Sequence, residues 1–169
     1  KTTRGRITWT PRPGERISWI REFRVLNWID SISQTSGPLE TRQMETRFGM
    51  EFQNSSNLSV GRTFRFERLT EPFFIQPDQA ILPGDYELSE YSIDLVIDRS
   101  RMLSGQARVA TGDFFDGNRD SYRFLFGFRY GYHFESEVSW THDDIPLPSG
   151  DFSTELVRTR LQYSFNTRM

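Results

Sequence analysis

The sequence has 169 residues, of which 36% are hydrophobic, 15% aromatic and 26% charged, and its formal net charge is -2. No stretch approaches the ~20 consecutive apolar residues of a spanning helix, which excludes a helical membrane protein, and the aromatic content argues against disorder. The absence of cysteine excludes disulfides, thiolate metal sites and cysteine nucleophiles, and the net charge gives no reason to expect a nucleic-acid partner.

The basic residues are unusually uniform. All of the 21 are arginine except one, Lys1. The planar guanidinium fork suits carboxylates and aromatic faces, whereas lysine is a strongly hydrated point charge. The bias therefore indicates that many arginines lie in confined polar networks; codon usage is the alternative explanation, and the sequence leaves both open.

Apolar and polar residues alternate with a period of two along most of the chain, which predicts β-strands. The clearest example is the row of aromatic residues at every second position from Tyr122 to Phe134. Several predicted strands exceed the mean length of ~5–6 residues and reach the ~9–11 residues that cross a bilayer at a tilt. The nine predicted strands span residues 4–10, 16–31, 39–53, 57–69, 85–98, 101–113, 121–132, 136–143 and 153–166.

The connections between these strands are predicted to alternate between short and long. Short ones lie at 11–15, 54–57, 98–101 and around His133, and long ones at 31–39, 70–84, 113–120 and 143–151. Outer-membrane barrels have tight turns at one end and long loops at the other. A soluble β-sandwich has no reason to sort its loops in this way. The ordering favours an antiparallel up-and-down transmembrane β-barrel, and a soluble sandwich or lipocalin-like barrel is the alternative.

On the barrel interpretation, the polar residue of each alternating pair faces inward. A lumen lined by both signs of charge would hold ion pairs, and the crowding would account for the preference for arginine. The lumen-lining candidates are Arg47, Glu51, Arg65, Glu67, Asp94, Arg108, Arg123, Arg129, Arg158 and Arg160, and the same inward-facing set includes Glu45 and Gln162.

Three predicted loops carry further candidates. Phe73 and Phe74, with Phe114 and Phe115, could stack on a sugar or plug the barrel. His142 with Asp143 or Asp144 could form a proton-transfer pair, although an exposed turn is the simpler interpretation. The oxygen-rich segment 113–120 does not follow the EF-hand spacing, and its Asp-Gly pair favours a hairpin turn over a calcium site. We predict no catalytic residues, no metal and no cofactor.

Six phrases of the sequence resemble a family of bacterial outer-membrane proteins of unknown function. They cover most of the chain in the family's order: PRPGERI (11–17), ERLTEPFFI (67–75), LPGDYELSEYSIDL (82–95), DRSRMLSG (98–105), TGDFFDGNRDS (111–121) and DDIPLPSGDFSTELVRTRLQYSFNTRM (143–169). Full-length members of that family begin with a carbohydrate-binding domain of the family-nine type and end in a larger β-barrel. The resemblance therefore implies that residues 1–169 are an incomplete barrel segment, with further strands and the amino-terminal domain missing.

The resulting prediction is an all-β membrane anchor or pore in the bacterial outer membrane, belonging to a porin-like cell-surface protein concerned with carbohydrate binding or uptake. The carbohydrate part comes from the resemblance alone. The expected partners are outer-membrane lipid, a carbohydrate, and other outer-membrane or surface proteins. The chain itself is not expected to be an enzyme. A soluble glycan-binding β-sandwich and an outer-membrane hydrolase that uses His142 remain the alternatives.

Overall fold

The computed structural model describes residues 2–33, 39–76, 79–148 and 150–165. In these ranges, no helix has the length and apolar character needed to cross a membrane. A single 3₁₀ turn, Gly14–Ile17, precedes the second strand. The strands are β1 (Thr2–Trp9), β2 (Ile20–Ser33), β3 (Leu39–Phe52), β4 (Asn57–Leu69), β5 (Phe73–Gln76), β6 (Gln79–Ile81), β7 (Gly84–Ile97), β8 (Leu103–Phe114), β9 (Gly117–Tyr130), β10 (Phe134–Leu147) and β11 (Gly150–Tyr163).

Nine of these strands form one antiparallel sheet. Its order is β1-β2-β3-β4-β7-β8-β9-β10-β11, and β5 pairs with β6 in a separate hairpin inserted between β4 and β7. The predicted all-β meander of nine strands is therefore confirmed. In the described part of the chain β1 and β11 form the two edges without pairing with each other, so the sheet is not closed into a barrel.

The predicted sorting of connections by length is wrong. Only Phe115 and Asp116 join β8 to β9, although a loop is predicted over 113–120, and β10 and β11 leave just residues 148–149 of the predicted loop 143–151. Strand pairing continues to Phe114 opposite Gly117 and to Leu147 opposite Gly150. Ladder hydrogen bonds thus extend through segments whose turn-forming composition suggests loops.

The other connections also depart from the prediction. The segment 16–19, predicted as the start of a strand, contains the end of the 3₁₀ turn, so the connection after β1 spans ten residues, 10–19. The connection after β4 is long as predicted, but it contains the hairpin β5–β6. Within the predicted loop 31–39, residues 34–38 lie outside the described part of the chain.

The pairing register gives the sheet two faces of opposite character. Residues directly opposite each other share a face, and successive residues of a strand alternate between faces. We call the face that carries Arg47, Asp94 and Arg108 the polar face, and the face that carries Ile93 and Phe126 the apolar face. Ile93 is 54% exposed and Phe126 55% exposed, whereas the Arg47 and Asp94 side chains are 23% and 19% exposed. The charged side is the more covered one.

Few apolar side chains are fully covered. Among the described residues the buried hydrophobic ones are Ile20, Ile81, Leu88, Ala110, Ile145 and Leu147. Leu88, Ala110, Ile145 and Leu147 belong to the polar face by register. Most of the small core therefore lies on the same face as the charges, whereas Ile20, opposite Phe52, lies at the end of the sheet away from the hairpin β5–β6.

Candidate functional site

The register brings all of the predicted lumen-lining candidates onto the polar face. Asp94, Arg108 and Arg123 are directly opposite one another on β7, β8 and β9. The remaining candidates follow the same alternation on their own strands, where they are Arg47 and Glu51 of β3, Arg65 and Glu67 of β4, Arg129 of β9, and Arg158 and Arg160 of β11.

Six charged residues at the centre of this face form a continuous network of ion pairs, which we call the charge ladder: Glu45, Arg47, Asp94, Arg108, Glu90 and Arg119. At one end, the Nε of Arg47 donates to Oε1 of Glu45 at 2.8 Å. The Nη1 of Arg47 donates to Oδ2 of Asp94 at 2.5 Å. One guanidinium therefore joins carboxylates of β3 and β7, two strands that are separated by β4.

The ladder continues across the next strands. Arg108 Nη1 donates to the two carboxylate oxygens of Asp94 at 2.9 and 3.1 Å, and its Nη2 donates to Oε1 of Glu90 at 3.1 Å. Arg119 Nη2 donates to Oε2 of Glu90 at 3.1 Å, and its Nε lies 3.9 Å from Oδ1 of Asp143. Since the ladder has three guanidinium and three carboxylate groups, its formal charges cancel.

Two glycines lie in the register rows of the ladder, one beside a guanidinium and one against the backbone of β7. Gly61 of β4 lies directly opposite Arg47, and a Cβ there would lie 3.4 Å from Cζ and Nη2 of that side chain. Gly112 of β8 lies between Glu90 and Arg119 in the register. A Cβ at Gly112 would come within 2.2 Å of the Ser89 carbonyl oxygen. The absent side chain at Gly61 therefore leaves room for Arg47 to reach β7, whereas the glycine at 112 allows the close approach of the β7 backbone.

A row of small residues lies beside the ladder. Ser92, Ala110 and Ser121 are directly opposite one another on β7, β8 and β9, and they are only 2–6% exposed. The methylene groups of the long arginine and glutamate side chains on either side account for this low exposure, because such side chains cover neighbouring surface while their charged ends remain paired. The Ser121 hydroxyl is buried and has no hydrogen-bond partner among the described residues.

The other predicted lining residues lie outside the ladder. Glu51 accepts from Arg21 at 2.7 Å and from Arg24 at 3.4 Å. Arg129 approaches Glu135 at 3.5 Å, and Arg160 donates to Gln162 at 3.0 Å. The remaining four have no ion pair or hydrogen bond within the described ranges, and they are Arg65, Glu67, Arg123 and Arg158.

Three of the four predicted loop phenylalanines come together. The Phe115 ring lies 5.1 Å from Phe114 and 6.2 Å from Phe73, and it meets the edge of Tyr86 at 5.1 Å. We call these four rings the aromatic cluster. The hydroxyl of Tyr86 donates to the Leu82 carbonyl at 2.8 Å, which ties the end of the hairpin connection to β7. Phe74 stays outside the cluster and is 63% exposed.

His142 lies in a strand as predicted, but β10 continues to Leu147, so the exposed turn predicted beside this residue is absent. Its ring stacks on Trp140 at 5.7 Å between centroids and lies 6.2 Å from Tyr122. Successive residues of a strand face opposite sides, so His142 lies on the apolar face and Asp143 on the polar face. The strand geometry therefore separates the histidine from Asp143, whereas Asp144, the second proposed carboxylate, lies on the same face as His142.

No family model, no curated protein and no solved structure matches this chain. Its site is accordingly described by its own geometry. The described residues contain no group of three or more His, Asp or Glu side chains arranged to hold a metal ion. What they do contain is an internally neutral network of charges that neighbours a cluster of aromatic rings.

Two members of the ladder, Glu90 and Arg119, are not among the residues predicted to face inward. Glu90 is four residues before Asp94 in the same alternating pattern, and this alternation could have assigned it to the polar face. Arg119 falls inside the segment predicted as a loop, whereas β9 begins at Gly117. Extending the alternation of Arg123 back by two and four residues would have assigned Ser121 and Arg119 to the polar face.

Proposed function

We propose that this chain forms part of the wall of a transmembrane β-barrel in the bacterial outer membrane, where it serves as a membrane anchor or a pore. The observation that carries the proposal is the polarity of the sheet, whose apolar side chains are exposed while its charged side chains pair with one another. Soluble proteins rarely expose large contiguous apolar patches, and such patches mark interaction or membrane surfaces. A polar interior and an apolar outer band are the arrangement of outer-membrane barrels.

The length of the strands supports the same proposal. Seven of the nine strands of the main sheet have 13 or 14 residues. A transmembrane strand needs ~9–11 residues to cross the hydrocarbon region at a tilt, so each of these has length to spare. Ring pairs such as Phe124–Trp140, stacked at 5.7 Å between centroids, lie on the apolar face. Pairs of this kind offer a continuous surface to lipid chains.

The two alternatives are less well supported by the geometry. A sandwich needs a second sheet against its apolar face, and the described residues supply only the two-stranded hairpin β5–β6 in addition to the main sheet. The hydrolase proposal required His142 to act with Asp143 or Asp144; Asp143 lies on the opposite face, and Asp144, which shares the face of His142, has no hydrogen bond to it among the described residues. A link to carbohydrate binding or uptake, and to other surface proteins, rests on the family resemblance of the sequence alone.

The experiment uses the fact that the sequence has no cysteine. Val138→Cys and Glu137→Cys place a single thiol at adjacent positions of β10, on the apolar and the polar face respectively. Each variant of the complete polypeptide is labelled with a fluorophore and reconstituted into vesicles that contain nitroxide-labelled lipid. We expect the lipid nitroxide to quench the label at position 138 and a water-soluble quencher to reach the label at 137. Equal quenching of both labels by the lipid would refute the proposal.

Pore and anchor are then distinguished by conductance. A pore formed by the complete polypeptide raises the conductance of a planar bilayer above that of the lipid alone, because polar solutes pass along the charged face. An anchor leaves the bilayer silent while the quenching pattern is retained.

A further inference from the structure

The sheet opens between β7 and β8, at the end that carries the hairpin β5–β6. Pairing of β7 with β8 stops at Glu90 opposite Gly112, whereas β7 continues to pair with β4 as far as Gly84. In place of a further ladder bond, the Ser89 amide donates to the Asp113 carboxylate at 2.9 Å. A cavity of about 300 Å³ lies over this opening on the polar face, which is the lower limit of the ~300–1,000 Å³ typical of small-molecule sites.

Four of the six carboxylate oxygens that line this cavity already accept hydrogen bonds, and its unpaired donors are concentrated on one arginine. Both oxygens of Glu90 already accept from arginines of the charge ladder, and Glu45 accepts from Arg47. Three further lining side chains have no hydrogen-bond or ion-pair partner among the described residues, and they are Gln43, Thr63 and Arg65. Gln43 and Arg65 are directly opposite each other on β3 and β4, so the two side chains are neighbours on the polar face.

The charges of the lining favour a single negative charge on the ligand. Four arginines and three carboxylates line the cavity, namely Arg47, Arg65, Arg108, Arg119, Glu45, Glu90 and Asp113. Asp94, which lies outside the lining, pairs with Arg47 and Arg108 and makes the charge ladder neutral. Arg65 is therefore the lining arginine without an ion pair among the described residues, and the Asp113 carboxylate already accepts from the Ser89 amide. The planar fork of Arg65 matches the two oxygens of a carboxylate. A dianion such as phosphate would leave a second charge unbalanced beside the carboxylates.

The remaining wall of the cavity is aromatic. Phe114 and Phe115 line it, and Phe115 has φ of 49°. Positive φ is uncommon for a bulky residue, and here it belongs to the first position of the two-residue turn that joins β8 to β9. Contacts with Tyr86 and Phe73 keep the Phe115 ring in place. The two phenylalanines thus offer an apolar wall beside the donors.

From this combination we propose that the cavity binds a small ring-shaped monocarboxylate. Its carboxylate is held by Arg65 with help from Gln43 and Thr63, and the apolar side of its ring lies against Phe114 and Phe115. Sugar acids and aromatic acids share this chemistry. The inference goes beyond the membrane role and does not depend on it, since binding can be measured whether or not the protein is in a bilayer.

Calorimetric titration of the complete polypeptide in detergent at low salt tests the proposal with matched ligands. D-galacturonate is compared with D-galactose, and benzoate with benzyl alcohol, so that each pair differs chiefly in the carboxylate. We expect at least one acid to bind, and to bind roughly tenfold more tightly than its neutral partner, because a charge-assisted bond is about twice as strong as a neutral one. Which acid binds identifies the ligand source. Equal binding of acid and neutral partner, tighter binding of inorganic phosphate, or no binding of either acid would overturn the proposal.

A matched pair of variants on β4 tests the role of Arg65. Arg65→Gln should weaken binding of the acid roughly tenfold. Arg62→Gln is the control, because Arg62 lies on the apolar face with its guanidinium over the Tyr91 ring at 5.4 Å, and it should bind normally. Circular dichroism verifies folding. If Arg65→Gln does not fold, Arg65→Lys retains the charge without the fork and should still bind more weakly than wild type. Unchanged affinity in the folded Arg65 variant would refute the assignment.

Discussion

Removal of Asp94 should destabilise the sheet more than removal of an exposed carboxylate such as Glu135, because two guanidinium groups of the charge ladder meet at Asp94. The side chains of Asp94, Arg47 and Arg108 are 19%, 23% and 28% exposed. Hydrogen bonds to charged groups contribute ~1.5–3 kcal/mol each, and breaking a fully buried pair costs ~3–5 kcal/mol. Since the site is partly exposed and both arginines keep a second carboxylate, we expect Asp94→Ala to lower the free energy of unfolding by about 2–3 kcal/mol.

Equilibrium urea unfolding of the complete polypeptide in detergent, followed by circular dichroism, measures this change. The control is Glu135→Ala, which removes a single pair with Arg129 that is 3.5 Å long and about half exposed. Such pairs contribute ~0–1 kcal/mol. Asp94→Asn, which keeps the shape and removes the charge, should fall between the two. If Asp94→Ala costs no more than Glu135→Ala, then the ladder does not stabilise the sheet and the reasoning is refuted.

Three further outcomes are expected. Gly112→Ala should lower the free energy of unfolding by ~1–3 kcal/mol, because the added Cβ would overlap the Ser89 carbonyl group. Gly49→Ala, whose Cβ would make only ordinary van der Waals contacts, should lower it less in the same urea assay. Val138→Arg, on the exposed apolar face, should cost ~2–4 kcal/mol in a bilayer if that face meets lipid; a change near zero would contradict this. Hydrogen bonds from the Ser100 backbone and hydroxyl lower the pKa of Asp98, in the turn between β7 and β8. Its stabilising effect should therefore be present above the unfolded pKa of ~3.9 and be lost as the pH falls through the lower folded pKa; a carboxyl NMR titration that finds no lowering would disprove it.

The sequence predicted the strands well where alternation was uninterrupted. In β3 and β4, polar and apolar residues alternate with few exceptions, and both strands lie within a residue or so of their predicted bounds. The segment 16–19 alternates in the same way, yet residues 14–17 form a 3₁₀ turn. Alternation over a few residues cannot distinguish a β-strand from a 3₁₀ turn, because it does not show whether the backbone groups form hydrogen bonds to another strand or within the turn.

The site could be predicted only in part, since its contacts depend on register. Alternation assigned Arg47, Asp94 and Arg108 to one face, but it could not show that Arg47 reaches Asp94 across an intervening strand. That contact requires Gly61 to be aligned with Arg47. The aromatic cluster was equally hidden, because Phe115 adopts a positive φ that no sequence rule assigns to phenylalanine.

The glycine opposite Arg47 has a consequence for how the chain finds its correct strand alignment. A shift of β4 by one residue would turn its side chains to the other face and bring Val60 or Arg62 to the place of Gly61. Either residue would fill the passage through which the guanidinium reaches β7. A misaligned sheet would thus lose the ion pair between Arg47 of β3 and Asp94 of β7. The absence of a side chain at Gly61 therefore favours the correct strand alignment over the shifted ones during assembly.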